Sequence, residues 1–345
     1  MISAAKTLDL EDRPEQLERF LANAGWAAAR RVPLAGDASR RSYIRLLDGP
    51  LPSAILMNAP PSRGEDVRPF VTIAAYLAEA GFSSPRIFAA DETEGFLLLE
   101  DFGDALFARV IEDDPEKETA LYSAACDMLL ALADAPLPAG TGPYGPAEMA
   151  PLAGLAATWY GGREDRAPAL AKATAEALTA VPAAPPILAL RDFHAENLVW
   201  LPDRRGTARG GLLDFQDGLI GHPAYDLASI VRDARRDVAP NVRSAIVQRF
   251  AQGRGFEEEA LDHALAALGA QRNLRILCVF ARLTLHIGKP HNVDLIPRVW
   301  ALLTTELGHP ALADLIAIVS ETLPEPSPAI LEDLKQRCGT IPKLA

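Results

Sequence analysis

The sequence predicts an α+β fold, in which a small antiparallel sheet near the N-terminus precedes a larger and mainly helical part. Two observations lead to this prediction. Strand and helix patterns alternate over the first hundred residues, whereas long alanine- and leucine-rich helical patterns dominate afterwards. The chain also has 345 residues, of which 49% are hydrophobic and 23% charged, as is typical of a folded protein with two domains.

The elements of the N-terminal part follow from hydrophobic spacing and turn signals. Apolar residues three and four apart predict a helix over residues 14–26 and a second helix from Val67 to Gly81. Short apolar segments predict strands at residues 42–47, 53–58, 86–90 and 96–99. Polar turns join these strands in pairs, which favours antiparallel hairpins.

The C-terminal part is predicted to be mainly helical. Helical spacing predicts helices at residues 115–134, 152–160, 168–181, 242–252, 257–287 and 293–307. A short β segment interrupts them, with strands predicted at residues 187–190, 198–201 and 211–214. These patterns place an N-terminal domain at residues 1–100, a helical domain at 101–323 and a C-terminal tail at 324–345.

Charge and composition argue against several classes of protein. The net charge of −12 is unlike that of a nucleic-acid binder, which needs a basic surface. No uncharged apolar run is long enough to predict a membrane span, and no pattern indicates a protein partner. Because the three cysteines are widely spaced and no secretory signal is evident, we expect reduced thiols and a cytoplasmic location. No histidine spacing typical of zinc is present.

The β segment carries the residues that indicate chemistry. Asp192 and Asn197 lie in a polar loop between two predicted strands, and Asp214 ends the next strand. Phosphoryl transfer needs a carboxylate that orients the attacking hydroxyl, and an amide and a second carboxylate that hold Mg²⁺ against the phosphates. Each residue alone could cap a turn, which is a common role of Asp and Asn. Three of them in this order at strand ends favour the catalytic interpretation.

This pattern, Asp-x4-Asn, strand, turn, strand, Asp-Phe, resembles the catalytic and magnesium loops of the protein-kinase-like fold. The run GHPAYDLAS at residues 221–229 is similar to the aminoglycoside-phosphotransferase branch of that fold. The resemblance implies a bilobal fold with an ATP cleft near residue 101. It also implies that Asp192 is the catalytic base, that Asn197 and Asp214 bind Mg²⁺, and that Asp226 supports the catalytic loop. Alternatively, Asp226 is an acid placed near a helix N-terminus.

The residues expected to bind the nucleotide depart from the kinase pattern. No GxGxxG motif is present, and Met57 stands where a kinase-like strand would carry its phosphate-binding lysine. Arg41 and Arg45 lie at alternate positions leading out of the turn at Gly36 and therefore point to one face. We expect them to neutralise the ATP phosphates together with Ser39 and backbone amides near Gly36, although both could be solvated strand residues.

The connection after the fourth predicted strand is the second nucleotide contact that the resemblance implies. The backbone of Glu100, Asp101 and Phe102 would hydrogen-bond the adenine. Any residue type supplies backbone groups, so these side chains do not themselves carry the prediction.

A further set of residues resembles one subgroup, the anomeric sugar kinases that act on N-acetylmuramate and N-acetylglucosamine in peptidoglycan recycling. The segments that carry this resemblance are GDASRRSYIR at 36–45, NAPP at 58–61, RPF at 68–70, DFQD at 214–217, QR at 271–272 and ARL at 281–283. The resemblance implies an ATP-dependent kinase that forms a sugar 1-phosphate. The alternatives are a kinase of an aminoglycoside, choline or an amino alcohol, and a pseudokinase that binds without turnover.

Arginines that follow the predicted magnesium loop indicate the charge of the acceptor. They are Arg232, Arg235, Arg236, Arg272, Arg275 and Arg282. A polycationic aminoglycoside would need carboxylates instead, so a neutral or anionic acceptor fits better. The lactyl carboxylate of N-acetylmuramate can accept two hydrogen bonds from one guanidinium, and we expect Arg232 and Arg282 to make this contact. Alternatively, these arginines face solvent or pair with neighbouring acids.

Overall fold

The computed structural model describes residues 13–34 and 41–341. Its strands are β1 (Arg30–Pro33), β2 (Ser42–Leu47), β3 (Ser53–Asn58), β4 (Ile87–Asp91), β5 (Phe96–Leu99), β6 (Pro143–Tyr144), β7 (Ile187–Ala189), β8 (Leu198–Trp200), β9 (Gly210–Leu212) and β10 (Leu219–Gly221). Its helices are α1 (Pro14–Asn23), α2 (Arg68–Glu79), α3 (Phe107–Asp113), α4 (Glu118–Asp134), α5 (Pro146–Trp159), α6 (Ala167–Thr179), α7 (Ala224–Val231), α8 (Pro240–Arg254), α9 (Glu258–Arg282), α10 (Ile296–Leu307), α11 (Ala313–Thr322) and α12 (Pro328–Gln336).

The chain forms two compact units. The sheet unit contains the described residues up to Val110 together with Glu196–Asp217, and the helical unit contains Ile111–Ala195 and the described residues from Gly218 onward. This division differs from the boundary at residue 101 that the sequence suggested, because the segment that carries Asn197 and Asp214 belongs to the same compact unit as the N-terminal strands.

The sheet unit is built on five antiparallel strands in the order β1-β2-β3-β5-β4. Alternate residues of β2, such as Ile44 and Leu46, point to one face and are buried against α1. The apolar stripe of α1, with Leu17, Phe20 and Leu21, covers that face. Tyr43 and Arg45, which alternate with the buried residues, therefore lie on the opposite face of the sheet.

The β8–β9 hairpin is fixed to the sheet unit by backbone contacts. The Leu212 N–H donates to the Ser83 carbonyl at 2.8 Å, and the Trp200 N–H donates to the Ala105 carbonyl at 2.7 Å. At Gly211, an added Cβ would lie 2.8 Å from the Phe102 ring, so the aromatic ring packs directly on the hairpin backbone. These contacts hold the hairpin that bears Asn197 and Asp214 to the segment that follows β5.

The helical unit is organised around α9, against which α5, α7 and α10 pack. The stretch Glu258–Ile287 is long and apolar enough to cross a membrane, but 83% of its most apolar part is buried within the protein. Such burial is typical of the central helix of a folded domain. A π-helical turn over Leu283–Ile287 follows α9, where the sequence predicted a continuous helix to residue 287.

Two segments are more regular than the sequence suggested. The Pro- and Gly-rich stretch 135–151 was predicted as a loop, but α5 begins at Pro146, where a proline at the start of a helix has no N–H to satisfy. The predicted tail contains α12, whose Leu334 is buried, and whose Ser327 side chain accepts a hydrogen bond from the Ile330 N–H. Residues 324–341 are therefore an ordered part of the helical unit.

Candidate active site

The two residues predicted to bind Mg²⁺ lie side by side at one end of the β8–β9 hairpin. The Leu213 N–H donates to the Asn197 carbonyl at 3.0 Å, which extends the ladder past Leu198 and Leu212 and places Asp214 next to Asn197. The φ angle of Asp214 is 55°, in the left-handed region that most side chains avoid. Such strain at a functional side chain is maintained only where the surroundings fix the turn.

The oxygen atoms at this hairpin suit a magnesium ion. Asp214 offers a carboxylate and Asn197 an amide oxygen, and the Gln216 amide donates to Asp214 Oδ1 at 2.7 Å. Within residues 13–34 and 41–341, no group of three or more His, Cys, Asp or Glu side chains is arranged to hold a metal. A magnesium ion held by Asn197 and Asp214 would therefore need phosphate oxygens and water to complete its shell, as it does in nucleotide sites.

Arg41, one of the two arginines predicted to bind phosphate, is held by an acid of the same unit. Its Nε atom lies 2.7 Å from Glu65 Oε2, and each side chain is 13% exposed. Burial acts to lower the pKa of Arg41, but the hydrogen bond to Glu65 and the nearby acidic groups, Asp217 among them, outweigh it and raise the pKa. Arg41 is thus a permanent cation beside the loop that follows Asp214.

Tyr43 connects Arg41 to that loop. Burial raises the pKa of Tyr43 to about 12, and the negative charge of Asp214 acts in the same direction. A hydrogen bond between the Tyr43 hydroxyl and Arg41 acts to lower this pKa. Met57 pairs with Tyr43 across the strands and is 1% exposed, so it fills the core where the kinase pattern has a lysine. Ser39 and Gly36 lie outside the described residues.

Arg45 is already neutralised within the sheet unit. Its Nε atom lies 2.8 Å from an Asp101 carboxylate oxygen, and its terminal nitrogens donate to both oxygens of Asp104 at 2.8 and 2.9 Å. These pairs connect β2 to the segment after β5. Arg45 thus pairs with both Asp101 and Asp104, whereas Arg41 pairs with Glu65, and on this ground we expect Arg45 to be the less suited of the two to bind phosphate.

The segment predicted to bind adenine is held by its neighbours. The Glu100 N–H donates to the Arg86 carbonyl at 2.8 Å, and its carboxylate accepts from Arg204 at 2.6 Å. Asp101 Oδ1 accepts from the Gly103 N–H at 2.9 Å. An adenine contact would therefore have to use the Glu100 carbonyl or the backbone of Asp101 and Phe102.

These contacts predict unequal effects for the two arginines. Arg41→Ala should raise the KM for ATP by roughly tenfold or more, the scale of one lost charge-assisted hydrogen bond, and should lower kcat. Arg45→Ala should raise this KM less, because Asp101 and Asp104 already neutralise its guanidinium. Arg31→Ala is the control, because Arg31 lies in the same sheet and pairs with Glu18. Steady-state kinetics in ATP would measure all three, and an Arg41 variant that matches the Arg31 control would contradict the assignment.

In the helical unit, the backbone of the predicted catalytic loop is held by Asp226. The Asp226 carboxylate is fully buried and accepts hydrogen bonds from the Leu190 N–H at 2.6 Å and the Arg191 N–H at 2.9 Å. Burial raises the pKa of Asp226 to about 7, against the effect of these two donors. Asp226 lies in the first turn of α7, but its carboxylate contacts the loop, which is the contact that loop support requires. Arg191 has a φ of 73°, so this turn is strained.

The candidate base, Asp192, has an arginine beside it that the sequence left without a role. Arg275 of α9 lies with a terminal nitrogen 3.9 Å from Asp192 Oδ2. Burial acts to lower the pKa of Arg275, but Tyr225, Asp192 and Tyr144 outweigh it and raise the pKa. Arg275 could have been identified from the sequence, because it lies seven residues before Arg282 and therefore on the same helix face.

The two arginines predicted to bind the acceptor lie in different surroundings. Arg232 forms a salt bridge with Glu306, which is 1% exposed, and burial lowers the pKa of Arg232 to about 10. Arg232 therefore contributes to the packing of the helices, and this pairing does not fit the sugar contact expected from the sequence. Arg282 is exposed and ends α9 on the face that carries Arg275, and its contact to the acceptor stays a prediction.

The chain is similar to known proteins over most of its length. A family model described as the phosphotransferase enzyme family matches residues 30–264. An N-acetylmuramate/N-acetylglucosamine kinase from Caulobacter vibrioides is 38% identical over 88% of this chain and 95% of its own length. A protein of the same name from Pseudomonas putida is 32% identical over 89% of this chain and 93% of its own.

The fold has relatives among solved structures. The aminoglycoside phosphotransferase APH(4)-Ia, in a ternary complex with ADP and hygromycin B, superposes with a TM-score of 0.59 at 15% identity. The match covers 85% of this chain and 100% of that one. At this identity the likeness concerns the fold alone, and it confirms the predicted α+β, protein-kinase-like fold.

Proposed function

Because this chain belongs to the phosphotransferase enzyme family, we propose that it is an ATP-dependent sugar kinase. The proposed reaction transfers the γ-phosphoryl group of ATP, with Mg²⁺, to the anomeric hydroxyl of N-acetylmuramate and/or N-acetylglucosamine, in the cytoplasm. The observation that carries the proposal is the similarity, over nearly the whole chain, to kinases named for these two sugars.

The residues of each unit would perform a separate part of the reaction. In the sheet unit, Asn197 and Asp214 would hold Mg²⁺, which neutralises charge on the phosphates as the γ-phosphoryl group leaves. Arg41 would supply the cation that Met57 does not. In the helical unit, Asp192 would orient the sugar hydroxyl and accept its proton. Asp192 is 28% exposed through its side chain, so it is open to a bound acceptor.

The charges near Asp192 support a neutral or acidic acceptor over a cationic one. Arg275 lies beside Asp192, Arg191 precedes it in the chain, and the charge of buried Arg272 acts on Asp226. A polycationic aminoglycoside or choline would meet repulsion from these guanidinium groups. The pseudokinase alternative is disfavoured, because a binding module has no chemical need for Asp192, Asn197 and Asp214 together.

A panel of acceptors tests the proposal. We expect turnover of N-acetylmuramate and N-acetylglucosamine with ATP and Mg²⁺, and no measurable turnover of kanamycin or choline. Phosphorus and proton NMR of the product should locate the phosphate at C1. A preference for kanamycin, or phosphate at C6, would contradict the proposed acceptor chemistry and leave phosphoryl transfer intact. No ATP consumption with any acceptor would favour the pseudokinase.

A further inference from the structure

Among the described residues Arg235 has no carboxylate partner, unlike Arg232, Arg236 and Arg298. Arg232 pairs with Glu306, Arg236 lies 3.5 Å from Glu118, and Arg298 lies 2.7 Å from Asp237. No such ion pair to the guanidinium of Arg235 exists in the part of the chain that the structure describes, and the residue is exposed. Its Nη1 atom instead lies 3.2 Å from Nε2 of His194.

His194 holds this guanidinium without neutralising it. The imidazole is 4% exposed, and its burial, followed by the charges of Arg235 and Arg272, lowers the pKa of His194 well below its ordinary value. The ring is therefore neutral, and its Nε2 accepts the Arg235 hydrogen bond, so the proton is on Nδ1. An exposed arginine is thereby held by a neutral partner, with no ion pair among the described residues.

The contact also places Arg235 at the catalytic loop. The His194 N–H donates to the Asp192 carbonyl at 3.1 Å, so His194 lies in the same turn as the candidate base. Two buried acids of this region accept hydrogen bonds from backbone N–H groups. Asp226 takes two loop N–H groups, and buried Asp233 accepts the backbone N–H of Arg235 at 2.8 Å.

An arginine in this state suits a carboxylate ligand. A guanidinium has five N–H groups, of which His194 takes one, and the others can donate two parallel hydrogen bonds to one carboxylate. N-acetylmuramate and N-acetylglucosamine differ by a lactyl ether, so a carboxylate is the charge that separates the two acceptors. The neutral sugar has no group that could replace it.

We infer that Arg235 binds the carboxylate of an acidic acceptor and so determines a preference for N-acetylmuramate over N-acetylglucosamine. This inference rests on the proposed function, in which both sugars are acceptors. It assigns to Arg235 the carboxylate contact that the sequence suggested for Arg232 and Arg282.

The test compares kcat/KM for the two sugars in the parent and in Arg235→Gln. The ratio of N-acetylmuramate to N-acetylglucosamine should fall roughly tenfold or more in the variant, as expected for a lost charge-assisted hydrogen bond. The N-acetylglucosamine value should change little. Arg249→Gln, which removes an exposed arginine paired with Asp127 in the same unit, should keep the parent ratio. The methyl ester of N-acetylmuramate provides a second comparison. The parent should turn over the ester with a lower kcat/KM than the acid, whereas Arg235→Gln should discriminate little between acid and ester.

Three results would overturn the inference while the proposed function stands. They are a parent with no preference for the acidic sugar, an unchanged ratio in Arg235→Gln, and an equal loss with both sugars. Thermal melting of each variant shows whether an equal loss comes from unfolding. If Arg235→Gln is unfolded, Arg235→Lys replaces it: its retained charge should preserve part of the preference, and an equal loss with both sugars in a folded Arg235→Lys would overturn the inference. A parent that turns over neither sugar would instead contradict the proposed function itself.

Discussion

Asp192→Asn should lower kcat by at least about a hundredfold, the scale on which a positioned acid or base contributes to catalysis. The asparagine side chain has nearly the same shape, so it still contacts the acceptor, but its amide cannot accept the hydroxyl proton. The KM for ATP should change little, because the nucleotide-binding residues that we propose belong to the sheet unit. Steady-state kinetics with N-acetylglucosamine would measure both constants.

A matched control separates this effect from a general effect of charge loss. Asp203→Asn removes an exposed carboxylate from the turn between β8 and β9 and should leave kcat unchanged. Both variants should melt at the temperature of the parent. An Asp192→Asn variant that keeps most of its kcat would remove Asp192 from the mechanism, whatever the acceptor.

Local sequence patterns were sufficient to predict the strands that carry or adjoin the residues expected to bind the nucleotide. The predicted bounds of β2, β3 and β5 coincide with the observed ones, because alternation and turn residues depend only on near neighbours. The side-by-side placement of Asn197 and Asp214 likewise follows from a short hairpin. The predicted strand at 211–214 ends earlier, at Leu212, because Asp214 adopts a left-handed backbone that a strand cannot continue.

Pairings between distant residues could not be predicted in this way. Arg232 and Arg235 are one turn apart in the sequence and look equivalent, yet Glu306 neutralises the first, and the neutral His194 holds the second. No spacing rule connects residues so far apart along the chain. The same reason explains Arg45, whose partners Asp101 and Asp104 lie beyond three further strands. Electrostatic roles of arginines therefore depend on the tertiary structure.

Replacement of Asp214 should have the second large effect on turnover. Its carboxylate would bring a full negative charge to Mg²⁺, whereas Asn197 contributes a neutral amide. Its φ of 55° also means that a variant can fail for two reasons, loss of charge or backbone strain. Asparagine tolerates the left-handed region better than most residues do, whereas alanine does not.

Asp214→Asn and Asp214→Ala should therefore both lose magnesium-dependent turnover, by about a hundredfold or more, because positioned charge at the transferring phosphoryl group supplies several kcal/mol. Calorimetric titration with ADP, with and without Mg²⁺, should show that magnesium no longer strengthens nucleotide binding. Asp214→Asn should melt close to the parent, and Asp214→Ala at a lower temperature. If the asparagine variant keeps parent activity while the alanine variant fails, Asp214 maintains the turn and does not hold the metal. Full activity of the parent in excess EDTA would contradict a magnesium-dependent kinase altogether, because the amide and carboxylate at the hairpin would then have no ion to hold.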